Sequence, residues 1–412
     1  MLVQSDRSHR VEQILERVTV GALYVYAVCS VISISALQAA YIFALITWAA
    51  RVYLQGHTRQ LYLPLLLPFG AFALASVLAT ALAEEPYHSL IEFRNVFEAL
   101  LFYLVVNQVT TEARATALTR VLIASGTVMA LYSLAQSLAH GPDFRVHGTM
   151  STYMHFAGLI MLVGLMTLAQ LLWRAHRRQV LWALPALLLS TASLVMTHTR
   201  SAWLGFMVGC CIVLGLYKKV FLLLLPLLVV VVFLLGPQAI KTRALSLLDQ
   251  RGITIQERLS MWSSGLHIIR DHPWTGVGMG AMVHVYQRYR EPDSPVNPTR
   301  RIGHLHNNLI QVAAERGLLG LACWLWIWLA YGYETWRIYR RLGPEHTGAK
   351  ALVLGSLASV VAFHVEGLFE HSFGASIVVT LVYFLMALPF VVQRVHVNDA
   401  VLASSVTVSR QA

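Results

Sequence analysis

Charge is scarce in this sequence. Only 12% of its 412 residues are Asp, Glu, Lys or Arg, against 57% hydrophobic, roughly half the charged share of an ordinary soluble protein. A chain so poor in charge cannot cover itself with a hydrated surface, which excludes the soluble globular class. Cysteine is scarce too. Cys29, Cys210, Cys211 and Cys323 all lie inside apolar runs without metal-ligand spacing, so they read as small core residues and no disulfide is inferred. Neither His-Glu-x-x-His nor a paired-aspartate motif occurs, so no metal is expected. Internal repeats, low-complexity tracts and a separate soluble domain are also lacking.

What is present is apolar length. The hydrophobic residues fall in runs of about 17–25, enough to cross a hydrocarbon core ~30 Å thick. Twelve candidate spans result: roughly 18–36, 37–52, 61–82, 90–109, 116–138, 153–173, 180–197, 201–217, 219–236, 309–333, 351–371 and 374–392. The expected fold class is an all-α polytopic membrane protein of about 12 transmembrane helices with one large external loop. Residues 1–236 hold spans one to nine, 237–305 the loop, and 306–412 spans ten to twelve with a tail. Residues 1–17 are polar and the first apolar run exceeds a signal h-region, so no cleavable leader is expected.

The net charge is +11, and its placement is more informative than its sum. Alternate polar segments carry Arg7, Arg10 and Arg17, then Arg51 and Arg59, Arg114 and Arg120, and Arg174, Arg177 and Arg178. Lys218, Lys219, Arg337, Arg340, Arg341, Lys350, Arg394 and Arg410 continue the series, whereas the opposite short loops hold only Arg145 and Arg200. This asymmetry predicts cytoplasmic termini and an outward 237–305 loop. That loop has nine basic and five acidic residues and should attract anions. Within it Ile255, Leu259, Trp262, Leu266 and Ile269 recur at helical spacing, an amphipathic helix suited to lie on the membrane or cap the bundle. Pro273 ends that helix, and Pro292, Pro295 and Pro298 make an irregular stretch.

Several residues carry potential chemistry at the outward side. Arg94, Arg145, Arg200 and Arg258 either pair with carboxylates such as Glu92, Glu98 or Glu257, or bind phosphate, which suits the guanidinium's bidentate fork. Arg200, in a tight hairpin, is the preferred functional candidate. His304 and His306 admit three readings: a metal grip, which needs an extended backbone, a structural pair, or a general base. The base reading is favoured. Asn307 or Asn308 looks like the N-cap of a helix starting near Leu309, and at a helix N-terminus the dipole disfavours imidazolium, leaving a base ready to accept a proton. Gly276-Val277-Gly278-Met279-Gly280 follows a helix, so it reads as a close-approach turn and not a nucleotide fingerprint. Glu366 and Glu370, one turn apart at the end of the 351–371 run, are either functional intramembrane carboxylates or counter-charges for Arg200 or Arg316.

These residues resemble the bacterial O-antigen ligase family, within the group that includes O-antigen polymerases and O-oligosaccharyltransferases. His306-Asn307, nine residues, then Gly317, two residues and Gly320 fit the ligase histidine pattern. Arg258-Leu259-Ser260-Met261-Trp262 through Asp271-His272-Pro273-Trp274-Thr275-Gly276-Val277-Gly278 looks like the family's external-loop segment. Arg145-Val146-His147-Gly148-Thr149 and Thr199-Arg200-Ser201-Ala202 resemble two upstream motifs. One departure stands after Gly148, where relatives often read Asn-Pro-Asn and this chain has Ser151-Thr152-Tyr153-Met154-His155.

The resemblance implies a glycosyltransferase-C-like fold in the bacterial cell inner membrane with a periplasmic active site. It implies an undecaprenyl-diphosphate-linked O-antigen donor, a lipid A–core oligosaccharide acceptor, surrounding membrane lipids, and no metal, cofactor, nucleotide sugar or nucleic acid. On this reading His306 is the base of an inverting transfer. Arg200 and Arg258 hold the diphosphate, while Arg145, Arg94, Asn307, His304 and Glu366 complete the substrate site. An O-antigen polymerase, a protein O-oligosaccharyltransferase and a lipid-linked glycan transporter are the alternatives.

Overall fold

The computed structural model describes residues 2–55, 61–141, 143–173, 177–235, 238, 241–242 and 253–411. Helices dominate, and no strand occurs among the described residues. In chain order they are α1 (Leu2–Cys29), α2 (Ile34–Gln55), α3 (Leu66–Ala81), α4 (Pro86–Glu92), α5 (Leu100–Gln108), α6 (Glu112–His140), α7 (Tyr153–Trp173) and α8 (Arg177–Met196). Then follow α9 (Arg200–Tyr217), α10 (Leu224–Leu235), α11 (Ile253–Asp271), α12 (Met282–Tyr289), α13 (Asn308–Arg341), α14 (Thr347–Gly367) and α15 (Ser376–Gln411). Eight of the described helices are long and apolar enough to cross a membrane: α2, α6, α7, α8, α9, α13, α14 and the 376–396 part of α15. This is a multi-pass membrane protein.

Several expected spans differ from the observed elements. The run at 90–109 is not one helix. It divides into α4, a 3-10 turn over Phe93–Ala99 and α5, and the Tyr41 hydroxyl donates to the Phe97 carbonyl at 2.6 Å where the ladder changes. The 219–236 run likewise opens with a 3-10 turn at Lys219–Leu223 before α10. The run at 351–371 ends early, because α14 stops at Gly367. In the 237–305 loop, Arg243, Asp249 and Arg251 lie outside the described residues.

Helices α7, α9, α14 and α15 form the buried middle of the bundle. Close helix approach there depends on small residues, as is usual in lipid. A Cβ at Gly205 of α9 would lie 2.6 Å from the Ala362 carbonyl oxygen of α14. Many basic loop residues gather at one end. Arg51 and Arg114 share Glu16, at 3.1 and 3.2 Å, and Arg120 reaches Gln179 at 3.4 Å.

The segment between α10 and α13 folds on a small core of its own, in which Met261, Ile268, Val277, Met282, Val285, Tyr286, Val296, Ile302 and Leu305 pack with Ala314. Helix α11 turns Ser260, Met261, Ser264 and Ile268 inward and leaves Leu259 and Leu266 of the expected apolar stripe exposed. The helix is therefore apolar on two sides, one facing the insert and one facing out.

This insert is stitched into a break in α13. Gly317 has φ 67° and ψ −177°, an arrangement glycine adopts without steric cost. The break frees two carbonyls, which take new donors: Val277 N–H to Ala314 O and Gly278 N–H to Glu315 O, both 3.0 Å. In return Leu318 N–H donates to Pro273 O at 2.7 Å. Non-helical backbone inside a membrane protein must be satisfied this way. The Gly276–Gly280 stretch is thus the expected close-approach turn, with positive φ at Gly276, Gly278 and Gly280, and its partner is the broken helix.

Candidate active site

The segment 303–307 enters α13 along an irregular path fixed from several sides. Asn307 is the N-cap: its Oδ1 accepts from Ile310 N–H at 3.0 Å, while its Nδ2 donates to the Leu368 carbonyl at 2.9 Å. One side chain thereby ties the start of α13 to the chain leaving α14. Leu305 is held through both backbone groups, by Gln311 Oε1 at 2.8 Å and Trp262 Nε1 at 3.0 Å. Between these anchors His306 sits at φ 50°. A left-handed non-glycine residue costs on the order of 1–3 kcal/mol and clusters at functional sites. Here it turns the imidazole toward α14.

His306 Nδ1 lies 2.6 Å from Glu370 Oε1, and Arg258 Nη2 lies 3.3 Å from Glu370 Oε2. Burial by itself would raise the Glu370 pKa. The hydrogen bond from His306, the charge of His306 and that of Arg258 outweigh it and hold the carboxyl below its ordinary value. An ionised Glu370 accepts, so Nδ1 carries the hydrogen and Nε2 is left with its lone pair outward. That is the tautomer a general base needs. Two further imidazoles flank the pair. The His304 ring centroid is 4.4 Å from His306 and 5.8 Å from His371. Burial first, then the neighbouring His306, lowers His304 to about 4. Burial, followed by His304 and Arg316, lowers His371 to about 3. Both therefore stay neutral at pH 7.

The ligand atoms of His304, His306 and Glu370 all lie within 4.8 Å of one another, a spacing at which three such groups can hold a metal ion. The non-helical path of 304–306 removes the spacing objection raised from the sequence. Both Glu370 oxygens are nonetheless engaged, and a guanidinium at 3.3 Å opposes a second cation. The three groups form one contiguous histidine–carboxylate–arginine chain.

The remaining candidates fall into distinct places. Arg145 clasps the α8–α9 turn, donating to the Thr197 and His198 carbonyls at 3.2 and 3.1 Å and stacking 3.3 Å over the Tyr153 ring. Arg200 begins α9 directly after that turn, half-buried. Arg94 is exposed on the 93–99 turn. Glu366 is buried, accepts from Ser372 Oγ at 3.0 Å and packs on Gly158 of α7. Because α14 ends at Gly367, Glu366 and Glu370 do not share a helical face: Glu370 turns to His306 and Glu366 stays in the bundle. Neither is the counter-charge of Arg316, which pairs with Glu315 at 3.0 Å. Gly205 on α9 meets Ala362 on α14 and Gly158 on α7 meets Glu366, so Arg200, the start of α7 and the end of α14 lie at the same end of the bundle as His306.

A cavity of about 280 Å³ adjoins this cluster. His304 and His371 form one wall; Glu92 at the end of α4 and Asn95 and Glu98 of the 3-10 turn face it, with Glu315 and Arg316 from the break in α13. No sequence signal indicated it, because its walls come from seven separated stretches. The Glu315 side chain is the hub of its floor, accepting from Gly280 N–H at 3.0 Å and Gln311 Nε2 at 2.8 Å.

A histidine, a carboxylate and an arginine are thus in contact at one end of a membrane-embedded helical bundle. Residues 185–325, about a third of the chain, match the family model described as O-antigen ligase. This is a family of membrane glycosyl-transferring enzymes of ligase and polymerase type that act on lipid-linked glycans. The match contains Arg200, Arg258, His304, His306 and Asn307, while Arg94, Arg145, Glu366 and Glu370 lie outside it. Curated proteins compared with the chain give no match.

Proposed function

We propose that this protein is an O-antigen ligase of the bacterial inner membrane. It transfers O-antigen from undecaprenyl diphosphate to the lipid A–core oligosaccharide at the periplasmic face. The observation that carries the reading is the 2.6 Å contact of His306 Nδ1 with Glu370, whose other oxygen meets Arg258. Base and cation are thereby fixed relative to one another by a single carboxylate.

The leaving group is a lipid diphosphate and needs no general acid. The acceptor hydroxyl oxygen attacks the anomeric carbon as His306 Nε2 takes its proton; the bond from that carbon to the phosphate oxygen breaks with inversion. Glu370 stabilises the imidazolium that forms, a positioning role of the kind that orients histidine bases elsewhere. Arg258 and Arg200 neutralise the charge developing on the diphosphate, a preorganised effect typically worth a few kcal/mol. The proton then returns from His306 to solvent. Arg145 supports Arg200 by holding the turn before it.

Purified protein in detergent, supplied with lipid-linked donor and lipid A–core and no divalent metal, should yield glycosylated lipid A–core. Product only with a second lipid-linked glycan as acceptor would make it a polymerase, and product only on protein an oligosaccharyltransferase. Absence of any transfer, with donor bound, would replace the enzyme by a transporter.

A further inference from the structure

The cavity beside His304 has a character opposite to that of the arginine side. Its walls carry the carboxylates of Glu92, Glu98 and Glu315 against one guanidinium, Arg316. Glu315 and Arg316 neutralise each other at 3.0 Å, and burial pushes Glu98 up to about 7, so the lining keeps no unpaired guanidinium opposite the Glu92 and Glu98 carboxyls. Such a wall offers a diphosphate no cation and favours partners that donate hydrogen bonds. Each carboxylate also keeps acceptor capacity. Glu92 accepts from Asn95 Nδ2 at 2.8 Å, Glu98 from Ser376, and a carboxylate has about four lone-pair sites.

Two buried nitrogens of the lining, one of them a guanidinium donor, make no hydrogen bond. Arg316 Nε and His371 Nδ1 are both enclosed without a hydrogen bond, and buried polar groups are rarely left so unless a ligand or water completes them. The rings of Phe72, Phe373 and Tyr383 close the remaining sides. Hydroxyl acceptors at one wall, donors at another and aromatic faces between them match a sugar ring, whose hydroxyls lie around an apolar C–H face.

We propose that this cavity is the acceptor subsite. It takes an uncharged, polyhydroxylated terminal sugar ring, excludes one bearing carboxylate or phosphate, and presents a hydroxyl past His304 to His306. The inference rests on the glycosyl-transfer reading and adds where the acceptor sits and which sugars it accepts.

The test uses the full-length purified protein and, as probe, the oligosaccharide released from lipid A–core. Its binding is measured by calorimetry beside binding of the undecaprenyl-diphosphate donor. Glu98→Gln removes a carboxyl from the wall, and Val283→Trp fills the cavity from a partly exposed position, so its folding is checked by a melting curve. Both variants should weaken oligosaccharide binding by about tenfold or more, the scale of a lost hydrogen bond to a charged group, and raise the acceptor KM. Donor binding should stay unchanged. A neutral methyl glycoside should compete with the probe and the corresponding uronic acid should not. Unchanged oligosaccharide binding in both variants, a loss of donor binding in its place, or equal competition by the uronic acid would overturn the proposal. The two readings fail separately. Oligosaccharide binding that these variants abolish, without transfer by wild type, would sink only the enzymatic reading; normal transfer with indifferent cavity variants would sink only this one.

Discussion

At the residue scale the account turns on how a carboxylate handles two cations. Glu370 is buried, yet it holds His306 and Arg258 at once, so its ionised form is secured by the groups it positions. Glu370→Gln keeps the shape and removes the charge. Transfer should fall by about 10–100-fold, the usual effect of losing a group that orients a functional histidine, while donor binding by Arg200 is retained. Rates in the variant equal to wild type would show that His306 needs no carboxylate. The flanking histidine makes a second prediction. His304 holds its proton only below about 4 when folded, against an ordinary value of 6.5. Below pH 6.5 the unfolded chain therefore binds the extra proton, and stability drops as pH falls from about 6.5 to about 4. His304→Gln should flatten that slope in melting curves taken across the range; an unchanged slope would show His304 exposed to solvent. At this scale His306, Asn307 and Arg258 were legible from motif spacing and capping chemistry. The partnership of Glu370 was not, because it depends on α14 ending at Gly367, and an apolar run of 21 residues with two carboxylates offers no visible stop.

At the element scale the decisive feature is the interrupted helix α13. Its first turns carry the N-cap beneath His306 and its break receives the insert, so the base and the loop bearing Arg258 are set by one backbone arrangement. A Cβ at Gly317 would fall 2.1 Å from the Trp274 carbonyl oxygen, at a φ of 67°. Gly317→Ala should therefore destabilise the protein by about 1–3 kcal/mol and loosen the insert, read as a lower melting temperature and faster proteolysis near residue 274. A melting temperature equal to wild type would place the break elsewhere. Helix identity was legible from apolar length; breaks were not. Gly317 looked like a motif glycine, and the 93–99 turn, with Arg94, Asn95 and Glu98, looked like the polar start of a span. The burial of α11 was equally hidden: its sequence is apolar on both sides, and tertiary packing chose Met261 and Ile268 over Leu259 and Leu266 for the inner one.

At the scale of the whole molecule, the basic cluster of the short loops and the His306 group lie at opposite ends of the bundle. Basic residues from loops far apart in sequence meet around Glu16 and Gln179, and His306 lies with the insert at the other end. The charge asymmetry in the sequence made this division readable, since loops on one side of a membrane share a composition. The twelve runs were less secure guides: eight helices have the length and hydropathy of spans, and the rest of the apolar sequence goes into shorter or broken helices. The expected orientation makes a direct prediction. In intact cells a membrane-impermeant maleimide should label Asp293→Cys, in the insert, and should reach Glu345→Cys, in the loop between α13 and α14, only after permeabilisation. The reverse pattern would turn the protein over and move the site to the cytoplasm.

The most direct test of the central claim is transfer by purified His306→Ala, given lipid-linked donor and lipid A–core without divalent metal, with donor binding measured on the same sample. The account predicts transfer reduced by about 10²–10⁴-fold, the worth of a positioned general base, with donor binding intact. Near-normal transfer by a folded variant would contradict it and remove His306 from the chemistry.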